Sequence, residues 1–417
     1  MLHAMDEQPS AIPVPILSFD DLGLLPVILE SLKAKGITNP SPIQHAAIPS
    51  ALSGQDVLGI AQTGTGKTFA FGLPMLQRLS QNPGFGLVLL PTRELAEQVE
   101  QALKPMADKL GIKMAVFIGG ASMELQRRAL KQGPRVLVAT PGRLIDHLDR
   151  KTVTLKGVSV LVLDEADRML DMGFAPQLNR ILGDVPKERQ TMLFSATMPQ
   201  TILGMTAKHM KSPVHVEIAP SGTSAERVEQ HVLMVGREEK GKVLVDILNA
   251  TEGTTLVFVR TKHGAKKLTK SLLQAGHKVA EIHANRSLGQ RREALEGFKK
   301  GRYRILVATD IAARGIDVTG IALVVNFDLP QNAEDYVHRI GRTGRAGLQG
   351  EAVSFITQDQ RGDLRAIERL IRKPLPMTDV RENKTELPPE GGPGRRPQRG
   401  GGGQRRGTRR NFRGPRR

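Results

Sequence analysis

Ala61-Gln62-Thr63-Gly64-Thr65-Gly66-Lys67-Thr68 follows a short apolar run, Val57-Leu58-Gly59-Ile60, and leads into Phe69-Ala70-Phe71-Gly72-Leu73. The order reads as strand, glycine-rich loop and helix. A loop of this kind turns its backbone N–H groups around phosphate oxygens, and the helix behind it adds the positive end of its dipole. Lys67 would reach the terminal phosphates, and the Thr68 hydroxyl would coordinate Mg²⁺. Ala61 stands where the general pattern begins with Gly. Gly-x-Gly-Lys-Thr directly after an apolar run favours phosphate binding over a plain glycine turn.

A phosphate loop needs a carboxylate-bearing strand beside it. Val158-Ser159-Val160-Leu161-Val162-Leu163 is a buried-strand pattern that ends in Asp164-Glu165-Ala166-Asp167. A carboxylate at the carboxyl end of such a strand can hold Mg²⁺, which assigns that role to Asp164. Glu165 is placed to polarise an attacking water. Paired acids after a strand often just start a solvated helix, but with the loop upstream they imply a nucleoside triphosphatase.

The chain of 417 residues is long enough for two domains with separate cores. Trp is absent and aromatics make up 3%, so the cores must rest on Leu, Val, Ile and Ala. No cysteine is present, which excludes disulfides and thiolate metal sites and suits a reducing compartment. No long apolar run or signal-peptide pattern follows Met1, so the expected location is the cytoplasm. The formal charge is +18, and residues 391–417 carry ten Arg and no acid. More than half of the excess thus sits in the last stretch, which points to a polyanionic partner, nucleic acid before membrane.

Taken in order, residues 1–17 are Pro-rich and expected to be flexible. Phe19-Asp20-Asp21-Leu22 precedes a helical pattern, and Gly36 to Gln44 turns into a second helix. A Gln amide can pair with the N6/N7 edge of adenine, though a lone Gln at a helix start is usually a surface residue. Gly36–Gln44, Ala61–Thr68, Pro91-Thr92-Arg93-Glu94-Leu95-Ala96, Gly119-Gly120, Thr140-Pro141-Gly142-Arg143, Asp164–Asp167 and Ser195-Ala196-Thr197 form an ordered set. It continues with Val257-Phe258-Val259-Arg260-Thr261, Ala308-Thr309-Asp310 through Asp317, and His338-Arg339-Ile340-Gly341-Arg342-Thr343-Gly344-Arg345. In order and spacing this set resembles the motifs of DEAD-box RNA helicases over residues 18–373.

The resemblance implies an α/β fold of two tandem RecA-like P-loop domains with mostly parallel sheets, followed by a disordered Arg/Gly-rich tail. The expected boundaries are 18–212 for the first domain, 213–228 for a linker, 229–373 for the second and 374–417 for the tail. Strand runs compatible with this lie at Leu87–Leu90, Val136–Val138, Val160–Leu163 and Thr191–Phe194, then at Thr255–Val259, Ile305–Ala308, Ala322–Asn326 and Glu351–Ile356.

By the same resemblance ATP and Mg²⁺ are the cofactors. Phe19 would stack on adenine while Gln44 pairs its edge. Ala61, Gln62, Thr63, Gly64, Thr65, Gly66, Lys67 and Thr68 would hold the phosphates, and Gly315 and Asp317 would meet the ribose and phosphate region. Lys67, Asp164 and Glu165 would be catalytic, with Arg342 and Arg345 reaching across as arginine fingers, whose planar guanidinium braces two phosphate oxygens. RNA would lie on Arg93, Gly119, Gly120, Thr140, Gly142 and Arg143 of the first domain and on Arg260, Thr261 and Thr309 of the second. Backbone contacts of this kind position a strand without reading its bases. Ser195 and Thr197, with Asp167 and His338, would couple the two sites.

One departure concerns His283-Ala284-Asn285-Arg286-Ser287-Leu288-Gly289-Gln290-Arg291. The family usually has Gln where Leu288 stands, three residues before the Arg matched by Arg291, and Gln290 is a candidate substitute after a local shift. The stretch Gly391–Arg417, with Gly400 to Gly403 and paired arginines, has only Phe412 to bury, so it is expected to be disordered and to tether RNA electrostatically. Such tails also occur in the bacterial RhlE-type branch. The expected activity is RNA-stimulated ATP hydrolysis coupled to domain closure and local unwinding of short duplexes. An ATP-gated RNA clamp and an RNA-annealing chaperone are the rival readings, with a DNA translocase behind them.

Overall fold

In the computed structural model of the chain, residues 18–62, 64–218, 228–313, 318, 320–344 and 350–380 are described. The Thr63, Gly315, Asp317 and Arg345 assignments lie outside these residues. So do the segment 1–17, most of the expected linker and the Arg-rich stretch from 381 onward.

Among the described residues fourteen strands build two sheets. The first holds β1 (Val57–Ile60), β2 (Phe85–Leu89), β3 (Met114–Phe117), β4 (Val136–Ala139), β5 (Val158–Leu163), β6 (Gln190–Ser195) and β7 (Val214–Glu217), in the order β3-β4-β2-β5-β6-β1-β7. The second holds β8 (Val228–Met234), β9 (Thr255–Phe258), β10 (Val279–Ile282), β11 (Ile305–Ala308), β12 (Leu323–Asn326), β13 (Gly350–Ile356) and β14 (Met377–Asp379), in the order β10-β11-β9-β12-β13-β8-β14. Neighbouring strands run parallel in both.

Parallel strands need crossover helices, and these cover both faces, so the central strands are apolar on both sides. On β5, Val160 and Val162 join the core on one side of the sheet, and Leu161 and Leu163 the core on the other. The second sheet repeats the plan, with Val324 of β12 facing one core and Leu323 and Val325 the other. In an open sheet of this kind the carboxyl ends of the strands carry the site loops.

Two expected boundaries move. Val214–Glu217 is not linker but an edge strand paired with β1. Its Val-His-Val-Glu alternation satisfies one covered flank, although Pro213 and Pro220 on either side read as a break. At the other end, Met377–Asp379 pairs with β8, so the second sheet extends past residue 373.

Candidate nucleotide and nucleic-acid site

The glycine-rich loop leaves β1 and enters the helix Lys67–Gln81, whose N-cap Gly66 takes φ 93°, with Gly64 at φ 85°. A side chain is strained at these angles. At Gly66 it would also run into Gln44, whose Nε2 lies 2.3 Å from the position a Cβ would take. Gln44 is buried. Its Nε2 donates to the Gly66 carbonyl at 2.9 Å, and its Oε1 accepts from the Ser41 N–H at 2.9 Å. One N–H and one lone pair of the amide remain for another partner. Phe19 is not brought to an open ring face; it is 3% exposed and belongs to the first domain's core.

At the end of β5, Glu165 sits in the left-handed region at φ 54°, an unfavourable conformation for a non-glycine residue. It aims the carboxylate back at the loop. Glu165 Oε1 accepts from Lys67 Nζ at 2.8 Å, and Oε2 lies 2.8 Å from Arg168 Nε. All three side chains are buried. Burial opposes the charge on Glu165, but Lys67 and Arg168 outweigh it and hold the carboxyl at about 2. For Lys67, burial works against the charge while Glu165 and Asp164 raise its pKa. Asp164 is pushed up to about 7, first by burial and then by its acidic neighbours. Its Oδ1 accepts from the Glu165 N–H at 3.0 Å, and among the described residues no donor reaches its Oδ2.

Asp167 turns the other way. Its Oδ2 accepts from Ala196 N at 3.1 Å, Thr197 N at 2.9 Å and Thr197 Oγ1 at 2.9 Å, while Oδ1 takes the Arg168 N–H at 2.9 Å. Ser195 Oγ donates to the Thr197 carbonyl at 2.7 Å. The Ser-Ala-Thr turn after β6 is therefore built on one carboxylate. Replacing Asp167 by Asn would set an NH₂ against at least one of these donors and should cost about 1–3 kcal/mol of domain stability. The expected pattern is a lowered melting temperature and a larger loss of strand displacement than of ATP hydrolysis. Equal losses of both activities would count against a coupling role.

From the second domain, the helix Ala333–Ile340 brings His338 and leads to Arg342. His338, Arg339 and Arg342 line one crevice with Arg168 of the first domain. Burial, then the Arg168 charge, lowers the His338 pKa to about 3, so the imidazole is neutral. Arg339 is anchored to Asp310 through Nε–Oδ1 at 2.6 Å and Nη2–Oδ2 at 2.7 Å, and through Nη1 to Asn326 Oδ1 at 3.0 Å. Arg168, Asp310 and Arg339 carried no assigned role in the sequence reading. Arg168 was findable, because it stands three residues after Glu165 on one helix face.

A groove crosses the two domains on the same side. Arg93, Gly119, Thr140, Gly142 and Arg143 line a cavity of about 440 Å³ that Ala284 and Arg291 close from the second domain. Arg260, Lys262 and Thr309 line a neighbouring cavity of about 480 Å³, and the two share Met172 and Ala284. Arg93 lies over the Gly119-Gly120 turn, where a Cβ on Gly120 would come within 2.3 Å of its Nη1. The Thr261 side chain caps the helix Lys262–Gln274. Arg143 Nη1 donates to the Ala121 carbonyl at 3.0 Å.

The domains also touch beside the groove. Arg291 Nη2 lies 3.0 Å from Glu94 Oε1, and Arg292 pairs with Glu97. Burial pushes Glu94 up and Arg291 down. Leu288 packs against the first domain's core. Gln290 does not replace a polar group at that position: it completes a capping box with Ser287 and stays exposed. Among the described residues no helix is long and apolar enough to cross a membrane.

Residues 41–204 match the family model DEAD/DEAH box helicase, and residues 239–347 match helicase conserved C-terminal domain. The chain is 42% identical over 366 residues to the DEAD-box ATP-dependent RNA helicase CshA of Bacillus cereus, covering 87% of this chain and 70% of that protein. The structure of S. cerevisiae Dbp5 bound to RNA and ADP BeF3 is 32% identical, with a TM-score of 0.77 over 87% of this chain and 95% of that one. For the DEAD-box helicase Mss116 bound to ssRNA and UDP-BeF the TM-score is 0.80 at 28% identity, over 88% of this chain and 81% of that one. Scores this high require both domains to superpose together, since either alone holds only about half of the chain. These relatives speak for the family and not for the RhlE-type branch. Both domains and their arrangement are shared, and the chain belongs to the DEAD-box ATP-dependent RNA helicases.

Proposed function

We propose that this protein hydrolyses ATP when RNA draws its two domains together, and that closure locally unwinds short RNA duplexes with little regard to sequence. The observation that carries this reading is the crevice where Arg168, beside Glu165, faces His338, Arg339 and Arg342 across the domain boundary.

On this reading ATP enters between the loop and that crevice. The backbone of Ala61–Gly66, with Gln62 and Thr65, cradles the phosphates, and Lys67 leaves Glu165 for them. Glu165, released from one cation but still held by Arg168, accepts a proton from the attacking water and aligns it. Asp164 Oδ2 and Thr68 Oγ1 would hold Mg²⁺; a buried acid with an oxygen that no donor among the described residues reaches suits a hard cation. Mg²⁺, when bound, neutralises charge on the phosphate oxygens. The open donor and acceptor of Gln44 fit an adenine edge, and its bond to Gly66 ties base recognition to the loop. Gly315, Asp317 and Arg345 complete the second domain's share.

RNA would run along Arg93, Gly119, Gly120, Thr140, Gly142 and Arg143 and on to Arg260, Thr261 and Thr309, held by its backbone. Asp167, Ser195, Thr197 and His338 would couple groove and nucleotide. Steady-state hydrolysis with and without single-stranded RNA, beside displacement of a labelled strand from a short duplex, tests the reading. RNA should raise turnover, and displacement should need ATP. Stimulated hydrolysis without displacement at any ATP level would favour a clamp and overturn the unwinding claim.

A further inference from the structure

The helix Lys262–Gln274 carries Lys262, Lys266, Lys267 and Lys270 and no acidic residue. Its buried face is Ala265, Leu268, Thr269 and Leu272. At 3.6 residues per turn the four lysines fall within an arc of about 140° on the solvent side. Lys266, Lys267 and Lys270 are exposed, and among the described residues none of their ammonium groups has an ion-pair or hydrogen-bond partner. Two other exposed helical lysines do have acidic mates one turn away, Lys104 with Asp108 and Lys300 with Glu296. Here Lys262, Lys266 and Lys270 repeat at i, i+4, where like charges oppose the helix. A polyanion relieves that repulsion.

The row starts in the groove. Lys262 lines the cavity with Arg260 and Thr309, and its Nζ donates to Asn285 Oδ1 at 3.2 Å. The helix begins beyond the carboxyl end of β9 and runs away from the groove, carrying Lys270 about 12 Å further on. The face bears no Phe, Tyr or Trp. Outside a backbone-lined groove of that kind, single strands are usually gripped by stacking bases on such rings. A straight row of cations without rings instead suits the regular phosphate rail of an A-form helix.

We propose that Lys266, Lys267 and Lys270 form a docking track for the backbone of an RNA duplex continuous with the strand in the groove, an inference that rests on the RNA-binding reading of that groove. The test compares the full chain with its K266Q/K267Q/K270Q variant. Each is titrated, with a non-hydrolysable ATP analogue present, against a single strand that fills only the groove and against the same strand bearing a hairpin arm, over a series of salt concentrations. For the hairpin RNA the slope of log affinity against log salt should fall by about 2 in magnitude, with binding weakened tens of fold near 0.2 M salt. Single-strand affinity and ATP turnover at saturating single strand should not change. Equal loss on both RNAs would reveal general attraction and overturn the track. Equal slopes for both proteins on the hairpin RNA would also overturn it and leave the face to another partner, such as an acidic protein. If the unaltered chain does not bind the single strand, the groove reading itself fails and the track falls with it.

Discussion

Glu165→Gln is expected to lower ATP turnover by about 10²- to 10⁴-fold while ATP and RNA remain bound together. The carboxylate is 2% exposed and held ionised by Lys67 and Arg168. Its folded pKa, about 2, lies below the ordinary value of 4.5. The stability contributed by this charge is therefore present above pH 4.5 and is lost as the pH falls towards 2. Over the working range Glu165 is a full acceptor. The amide keeps the volume but has one acceptor oxygen, and it cannot take a proton from water. It also leaves Lys67 and Arg168 without their shared counter-charge. The nucleotide-free variant should therefore melt earlier, and ATP should restore more stability than in the parent, because its phosphates replace the missing charge. Single-turnover hydrolysis beside equilibrium ATP binding separates the two effects. Undiminished turnover would remove Glu165 from the reaction.

What could be read without coordinates follows from how each strand is covered. β2, β4, β5 and β6 lie inside the first sheet and β9, β11, β12 and β13 inside the second, so both flanks demand apolar residues and each shows as a run. β3, β7, β10 and β14 went unread, and these are the four sheet edges. On these edges Val279-Ala280-Glu281-Ile282 carries a buried acid paired with Arg286, and Val214-His215-Val216-Glu217 alternates, so neither shows as an apolar run. β8, one strand in from the edge, alternates as well in Val-Glu-Gln-His-Val-Leu-Met and fell beyond the expected linker. At the site, the motifs gave residue types but not their mates. Lys67 and Glu165 are 98 positions apart, and Gln190 reaches the Ala51 carbonyl across 139. Such pairings are set by sheet order, which no local period encodes. The same limit hid the use of Leu288, an apolar contact with the other domain at a position where a polar side chain was expected.

Arg342→Ala should cost about 10³-fold or more in RNA-stimulated turnover, with ATP affinity of the open protein little changed. Arg342 is 3% exposed, and its Nε donates to the His338 carbonyl at 3.3 Å. It stands three residues beyond Arg339, which is fixed by Asp310, Asn326 and the Asp328 carbonyl and lies 4.9 Å over the Phe258 ring. The second domain thus presents Arg342 from a rigid mount to the crevice beside Arg168 and Glu165. A cation there stabilises charge that develops only in transfer, so its loss should fall on kcat rather than on binding. Arg342→Lys keeps the charge but loses the planar fork and should recover only a small part. Arg339→Ala should differ in kind, lowering the melting temperature because Asp310 and Asn326 lose their shared partner. If the variant lacking both Arg342 and Arg345 hydrolysed ATP at the parental rate, the first domain would be a complete ATPase by itself, and RNA-driven closure would have no catalytic group to deliver.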